Sequence, residues 1–220
     1  MIQKKPKYFK LFLLILLISS ILRFWRIDAL TTFSGDQGYD FLAVANMMKT
    51  HKITFLGPKI GPYNNIGNLY LGPAYYYLLS PALFLSGFDP LGPAVETAIM
   101  AVLTVYLIYL IGKNFLNDES GLVASALYGF NPYLISQSRA PSNPHMIPFF
   151  CALFIYSILK TVNSKFYLWP VLCGICLGVM FQLHYLAAVL IVVSVLYLLK
   201  KKQMTSLIVV LAAFVLTISP

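Results

Sequence analysis

Two aspartates stand four residues apart in a loop that follows a hydrophobic segment: Phe33-Ser34-Gly35-Asp36-Gln37-Gly38-Tyr39-Asp40. A carboxylate at a membrane boundary is a poor packing residue, and beside a bound hydroxyl it takes up a proton. Asp36 therefore has two readings. It is a general base, or it caps the helix that Ser34-Gly35-Asp36 announces. Asp40 lies one turn further along the same helix face and reads first as a solvated acid. Further along the chain, Ser138-Arg139-Ala140-Pro141-Ser142-Asn143 is short and polar. There Arg139 either contacts phosphate or snorkels to headgroups. His145 and His184 read as polar residues at helix ends. A divalent metal held by Asp36 and a histidine is allowed by residue type, but the spacing specifies none. Glu96 falls near one end of its helix, solvated or paired with a cation. Tyr75, Tyr76 and Tyr77 read as interface anchors, and tyrosine faces also stack on sugars.

These residues sit in an apolar chain. Of its 220 residues, 59% are hydrophobic and 10% charged, with mean hydropathy +0.78. That leaves too little polar surface for a soluble domain of this size, while a multi-span membrane protein needs little, since lipid covers its outside. The formal charge is +9. The cations flank apolar segments and set orientation, with no basic stripe in a polar context, which sets nucleic-acid binding aside. Cys151, Cys173 and Cys176 all lie in apolar runs. Cys173-Gly-Ile-Cys176 has redox or metal spacing without polar neighbours and reads as helix packing. Lys4, Lys5, Lys7 and Lys10 precede Leu11 to Leu22, and Arg23-Phe24-Trp25-Arg26 stands where a cleavage site would be. This predicts an uncleaved anchor with its basic end in the cytoplasm. The apolar run into Thr217-Ile218-Ser219-Pro220 predicts that residues 1–220 are the front part of a longer multi-span domain.

A spanning helix needs about 20 apolar residues. Candidate helices are Tyr8–Ile27, Tyr70–Gly87, Pro93–Gly112, Gly121–Ser136, His145–Val162, Phe166–Gln182, Tyr185–Leu199 and Met204–Pro220. Tyr70–Gly87 is short and interrupted by Pro73, Ser80 and Pro81. If it crosses, Lys113, Lys160, Lys165 and Lys200 to Lys202 fall on the side opposite the N-terminal lysines. If it does not, all share one side, as the positive-inside rule requires. The segment is therefore predicted to be interfacial or re-entrant. Asp36, Asp40, Arg139, His145 and His184 then open on the outer face of a multi-pass plasma-membrane protein. In the outer loop, about residues 28–92, Asp36 to Thr50 is predicted as an amphipathic helix. Lys49, His51 and Lys52 close it, and Gly57, Pro58, Gly61, Pro62, Asn64, Asn65 and Gly67 form a loop after it.

The order of segments is informative. An anchor and an acidic first loop come before Leu71-Gly72-Pro73-Ala74-Tyr75-Tyr76-Tyr77-Leu78-Leu79. Val105-Tyr106-Leu107-Ile108-Tyr109-Leu110-Ile111-Gly112-Lys113 follows. Then come Asn131-Pro132-Tyr133-Leu134-Ile135-Ser136-Gln137-Ser138-Arg139-Ala140 and Pro148-Phe149-Phe150. Over nearly its whole length the chain resembles the integral-membrane glycosyltransferases of the GT-C fold, in particular the protein O-mannosyltransferase and aminoarabinose-transferase branch. The resemblance implies an all-α polytopic helical bundle with juxtamembrane helices in its first outer loop. It implies a polyprenyl-phosphate sugar as donor and membrane lipids as surroundings. It also implies Asp36 as catalytic base, with Arg139 and His184 toward the donor phosphate. The family often has a second acid directly after the first. Here that position is Gln37, with Asp40 or Glu96 as substitutes. Its Lys-Pro-Pro motif is here Leu71-Gly72-Pro73.

Two other functions fit a polytopic chain: a transporter or flippase for a lipid-linked substrate, and a non-catalytic scaffold. Transporters place polar residues at mid-bilayer on broken helices, often in internal repeats. This sequence gathers its ionisable residues at one face and shows no repeat. Sugar and acceptor are open, since lipid A, a protein and a growing glycan all fit.

Overall fold

The computed structural model describes residues 8–60 and 69–219. Lys4, Lys5, Lys7, Pro220 and the loop residues Gly61, Pro62, Asn64, Asn65 and Gly67, used in the reading above, lie outside them. The described chain is an all-α membrane protein of eleven α-helices: α1 Phe9–Phe24, α2 Ile27–Leu30, α3 Gly35–Thr50, α4 Ala74–Leu85, α5 Leu91–Phe115, α6 Asp118–Gly129, α7 Pro132–Gln137, α8 Asn143–Asn163, α9 Leu168–Leu183, α10 Ala188–Lys200 and α11 Met204–Ile218. A 3₁₀ turn, Tyr185–Ala187, leads into α10. By length and hydropathy, α5 and α8 qualify as membrane-spanning, while α4, α9, the Tyr185–Lys200 segment and α11 are shorter apolar helices.

The predicted segments are found with one correction. Gly121–Ser136 is not one helix. It breaks at Phe130-Asn131, where the Asn131 side chain accepts from Leu134 N and Pro132 opens α7. Asn at the N-cap followed by Pro at N1 restarts a helix, because Pro lacks only an N–H that has no helical partner there.

Polar contacts at helix ends align the bundle. At one end, Tyr8 donates to Glu119 at 2.8 Å, joining the starts of α1 and α6. Asn114 donates to Tyr156 at 3.3 Å, and Tyr156 packs on Trp169, joining the end of α5, the last turns of α8 and the start of α9. Lys113, Lys160, Lys165 and Lys200 to Lys202 belong to this lysine end. At the other end, Asn143 donates to Leu183 O at 2.7 Å, and Arg139 donates to the carbonyls of Leu22 and Arg23. This is the loop end.

Helix α4 starts and stops at the loop end. Ala74 N donates to the Gln182 side chain at 3.2 Å, near the end of α9. At its other terminus, the start of α5 passes so close that a Cβ on Gly92 would strike Ala82 O and Ser86. Twelve residues reach only about 18 Å, short of the bilayer's apolar core. Close approach of helices elsewhere also rests on small residues. A Cβ on Gly112 would overlap Gly121 of α6, and Cβ atoms on Gly174 and Gly178 would overlap α11 at Val210 and Thr217.

One core gathers Phe154, Ile158, Cys173, Cys176, Leu177, Met180 and Val210 from α8, α9 and α11. The cysteines are free thiols within helix packing, as expected. A second core joins Phe41 and Val44 of α3 to Tyr75, Tyr76, Leu79 and Leu83 of α4, and to Met146 and Leu183. This corrects the reading of the tyrosines as anchors. Tyr75 is 0% and Tyr76 9% exposed; of the three only Tyr77, at 42%, lies outward.

Candidate active site

Helix α3 starts without help from Asp36. Its N-cap is Ser34, in a capping box with Gln37. The Gln37 side chain accepts from Ser34 N at 2.6 Å. Ser34 and Gln37 thus hold the N-cap and N3 positions of a capping box, so the N-cap reading of Asp36 gives way. It also shows what Gln37 does at the position after the acid. Asp36 occupies the first turn, exposed, with its carboxylate uncommitted to the cap.

Asp36 and Asp40 line a cavity of 460 Å³ at the loop end. Its other walls are Pro58, Lys59, Ile60 and Leu71, then Asn143 and Pro144 at the start of α8, then His184 and Tyr185 beyond α9. Lys59 arrives by backbone pairing. Gly57 N donates to Leu71 O, Leu71 N to Pro58 O and Ile60 N to Leu69 O, each at 2.9 Å. This lays the 57–60 and 69–71 segments antiparallel, with Lys59 opposite Tyr70. Lys59 was not singled out in the sequence, where its stretch read only as a glycine- and proline-rich loop.

His184 follows α9 and stacks on Tyr185 at 4.8 Å between ring centroids. Its Nδ1 accepts from Leu186 N at 3.3 Å, which makes Nε2 the N–H of the neutral ring. Gln182 fixes this corner. Its Oε1 holds Ala74 N and its Nε2 donates to Thr217 O at 2.8 Å.

Asp40 is not a solvated acid. It is 9% exposed and accepts from the Tyr76 hydroxyl at 3.1 Å. Burial pushes its carboxyl up to about 6; the Tyr76 bond opposes this and the neighbouring Asp36 charge adds to it. Its burial was invisible in the sequence because its partner lies 36 residues away.

The remaining candidates lie elsewhere. Arg139 is not among the cavity's lining residues; it holds carbonyls at the end of α1, where a cation meets the negative pole of the helix. Beside it, Arg23 is fully buried and donates to Ser19 and Gly129. His145 Nδ1 faces the Ala140 carbonyl. Tyr75 is enclosed, its hydroxyl without a hydrogen-bond partner among the described residues. Glu96 is half-buried. It lines a separate groove, and its Oε2 is buried without a partner among the described residues. Among the described residues, no three His, Cys, Asp or Glu side chains gather closely enough to hold a metal.

A cavity with two carboxylates on one wall and an ammonium and an imidazole N–H on others has the parts for proton removal and for holding an anion. Comparison with protein families matches residues 71–220 to the dolichyl-phosphate-mannose-protein mannosyltransferase family. The chain belongs to that family. It is a membrane glycosyltransferase of the mannosyltransferase type, and the family implies a lipid-linked sugar donor at a coarse level. The match covers α4 to α11 and the His184 corner, while Asp36, Asp40 and Lys59 precede it. No curated protein and no solved structure matches the chain.

Proposed function

We propose that this mannosyltransferase-family protein transfers a sugar from a polyprenyl-phosphate donor to an acceptor hydroxyl at the outer face of the plasma membrane, with Asp36 as general base. One observation carries the reading. Asp36, relieved of capping by Ser34 and Gln37, faces the same cavity as Lys59 and His184. The lysines collected at the opposite end support an outward-facing cavity.

The acceptor oxygen attacks the anomeric carbon as the bond from that carbon to the phosphate oxygen breaks. The acceptor proton passes to the Asp36 carboxylate. The bonding pair leaves with the lipid phosphate, whose negative charge Lys59 and the His184 Nε2–H stabilise. Sugar activation resides in the lipid phosphate, since no nucleotide-sugar pool exists outside the cell.

The test is transfer of radiolabelled sugar from a polyprenyl-phosphate donor in membranes containing the full-length protein. Asp36→Asn is expected to fold as the wild type and to lose about 10²–10⁴-fold in rate. A variant as active as the wild type ends the assignment, and label that moves across the membrane without a new bond establishes the transporter instead.

A further inference from the structure

We propose that Asp40 binds the donor as a neutral carboxylic acid, so that the anionic ligand enters the cavity together with one proton. The proposal rests on the donor reading above and adds a binding residue to it. Tyr76 occupies Oδ1 of Asp40 from within the α3–α4 core. Because Asp40 also lines the cavity, Oδ2 is the oxygen left to meet a ligand. A protonated Oδ2 donates a hydrogen bond to a phosphodiester oxygen. An ionised one sets a second carboxylate, beside Asp36, against the same anion.

The groups around Asp40 fix the balance. Asp36 faces the cavity from the same helix, Tyr75 and Tyr76 come from α4, Lys59 from the paired segment, and His184 and Tyr185 from beyond α9. Glu96 acts on Tyr75 and not on Asp40. Burial already pushes the carboxyl up to about 6, against the Tyr76 bond and with the Asp36 charge. An entering anion pushes it higher. Two carboxylates on one helix face thus divide the work. The exposed one takes the acceptor's proton, and the enclosed one holds its own proton against the phosphate.

The experiment is binding of a non-transferable donor analogue, a polyprenyl phosphonate sugar with carbon in place of the glycosidic oxygen, to the full-length protein in nanodiscs. This ligand does not titrate in the range used. Wild-type affinity is expected to fall about a hundredfold from about pH 5 to about pH 8, two units above the Asp40 value of about 6. Asp40→Asn keeps a donor and cannot ionise. Its affinity stays near the low-pH level throughout, measured also with His184→Gln so that the imidazole's charge does not contribute. Tyr76→Phe removes the bond that favours the carboxylate, so the fall moves to higher pH. A pH fall in Asp40→Asn equal to that of the wild type, lost affinity in that variant at low pH, or a Tyr76→Phe profile that stays in place or moves to lower pH overturns the proposal. Wild-type binding without a pH step sinks this proposal alone. No wild-type binding at any pH sinks the donor reading with it.

Discussion

Two hollows at the loop end carry acids in opposite company. The cavity under α3 sets Asp36 and Asp40 against Lys59 and His184. The groove of 700 Å³ between α4 and α5 is walled by Pro81, Leu85, Val95, Ile99, Leu103 and Phe149, with Glu96 inside and no cation on its wall. A carboxyl near a membrane boundary therefore does not by itself mark the reaction centre. What distinguishes the two is the pairing of an uncommitted acid with groups that hold an anion, and only the first hollow has it.

The sharpest way to break this contrast is to neutralise one acid in each hollow. Asp36→Asn is expected to cost about 10²–10⁴-fold in transfer, whereas Glu96→Gln stays within about twofold of the wild type. Equal losses in a radiolabel assay would erase the distinction. Next in size is the pH response of the fold. Asp40 titrates at about 6 in the folded protein against a reference value of 3.8. Its contribution is fully present below about pH 4 and is lost as pH rises through about 6. At most about 3 kcal/mol is involved. Melting in detergent should show the protein more stable at the acid end of that window, and Asp40→Asn should flatten the slope. Lys59→Ala removes a cation from the proposed donor cavity and should weaken binding of the donor analogue by about 10–100-fold. Arg139→Ala should leave that affinity unchanged and lower the melting temperature by a few degrees, because it uncaps α1, an effect of about 1 kcal/mol. If Arg139 affects donor affinity more than Lys59 does, the cation has been assigned to the wrong residue.

Much of the architecture was readable from residue order. Runs such as Leu168–Leu183 and Met204–Ile218 have no other way to satisfy their backbone in lipid than to coil. The lysine distribution argued against a crossing by Tyr70–Gly87, and the 12 residues of α4 fall short of the length a span needs. Local chemistry was readable too: Ser34 and Gln37 have capping-box spacing, and Asn131-Pro132 signals a new helix. What escaped depends on distant partners. Lys59 reaches the cavity only because Gly57 to Ile60 pairs with Leu69 to Leu71. Asp40 is buried only because Tyr76 packs over it. Arg139 belongs to the end of α1, more than a hundred residues earlier. Asp36 and His184 were legible as candidates because both sit at helix boundaries, where polar groups survive in an apolar chain.

The self-sufficient beginning of α3 bears on how such a chain varies. Ser34 and Gln37 tie that turn together, so the neighbouring carboxylate can be exchanged without unravelling the segment that displays it. Relatives that abandoned catalysis would keep the same shape and the same abundance in membranes. Only the identity of one side chain, and not expression or thermal behaviour, would tell a silent copy from a working one.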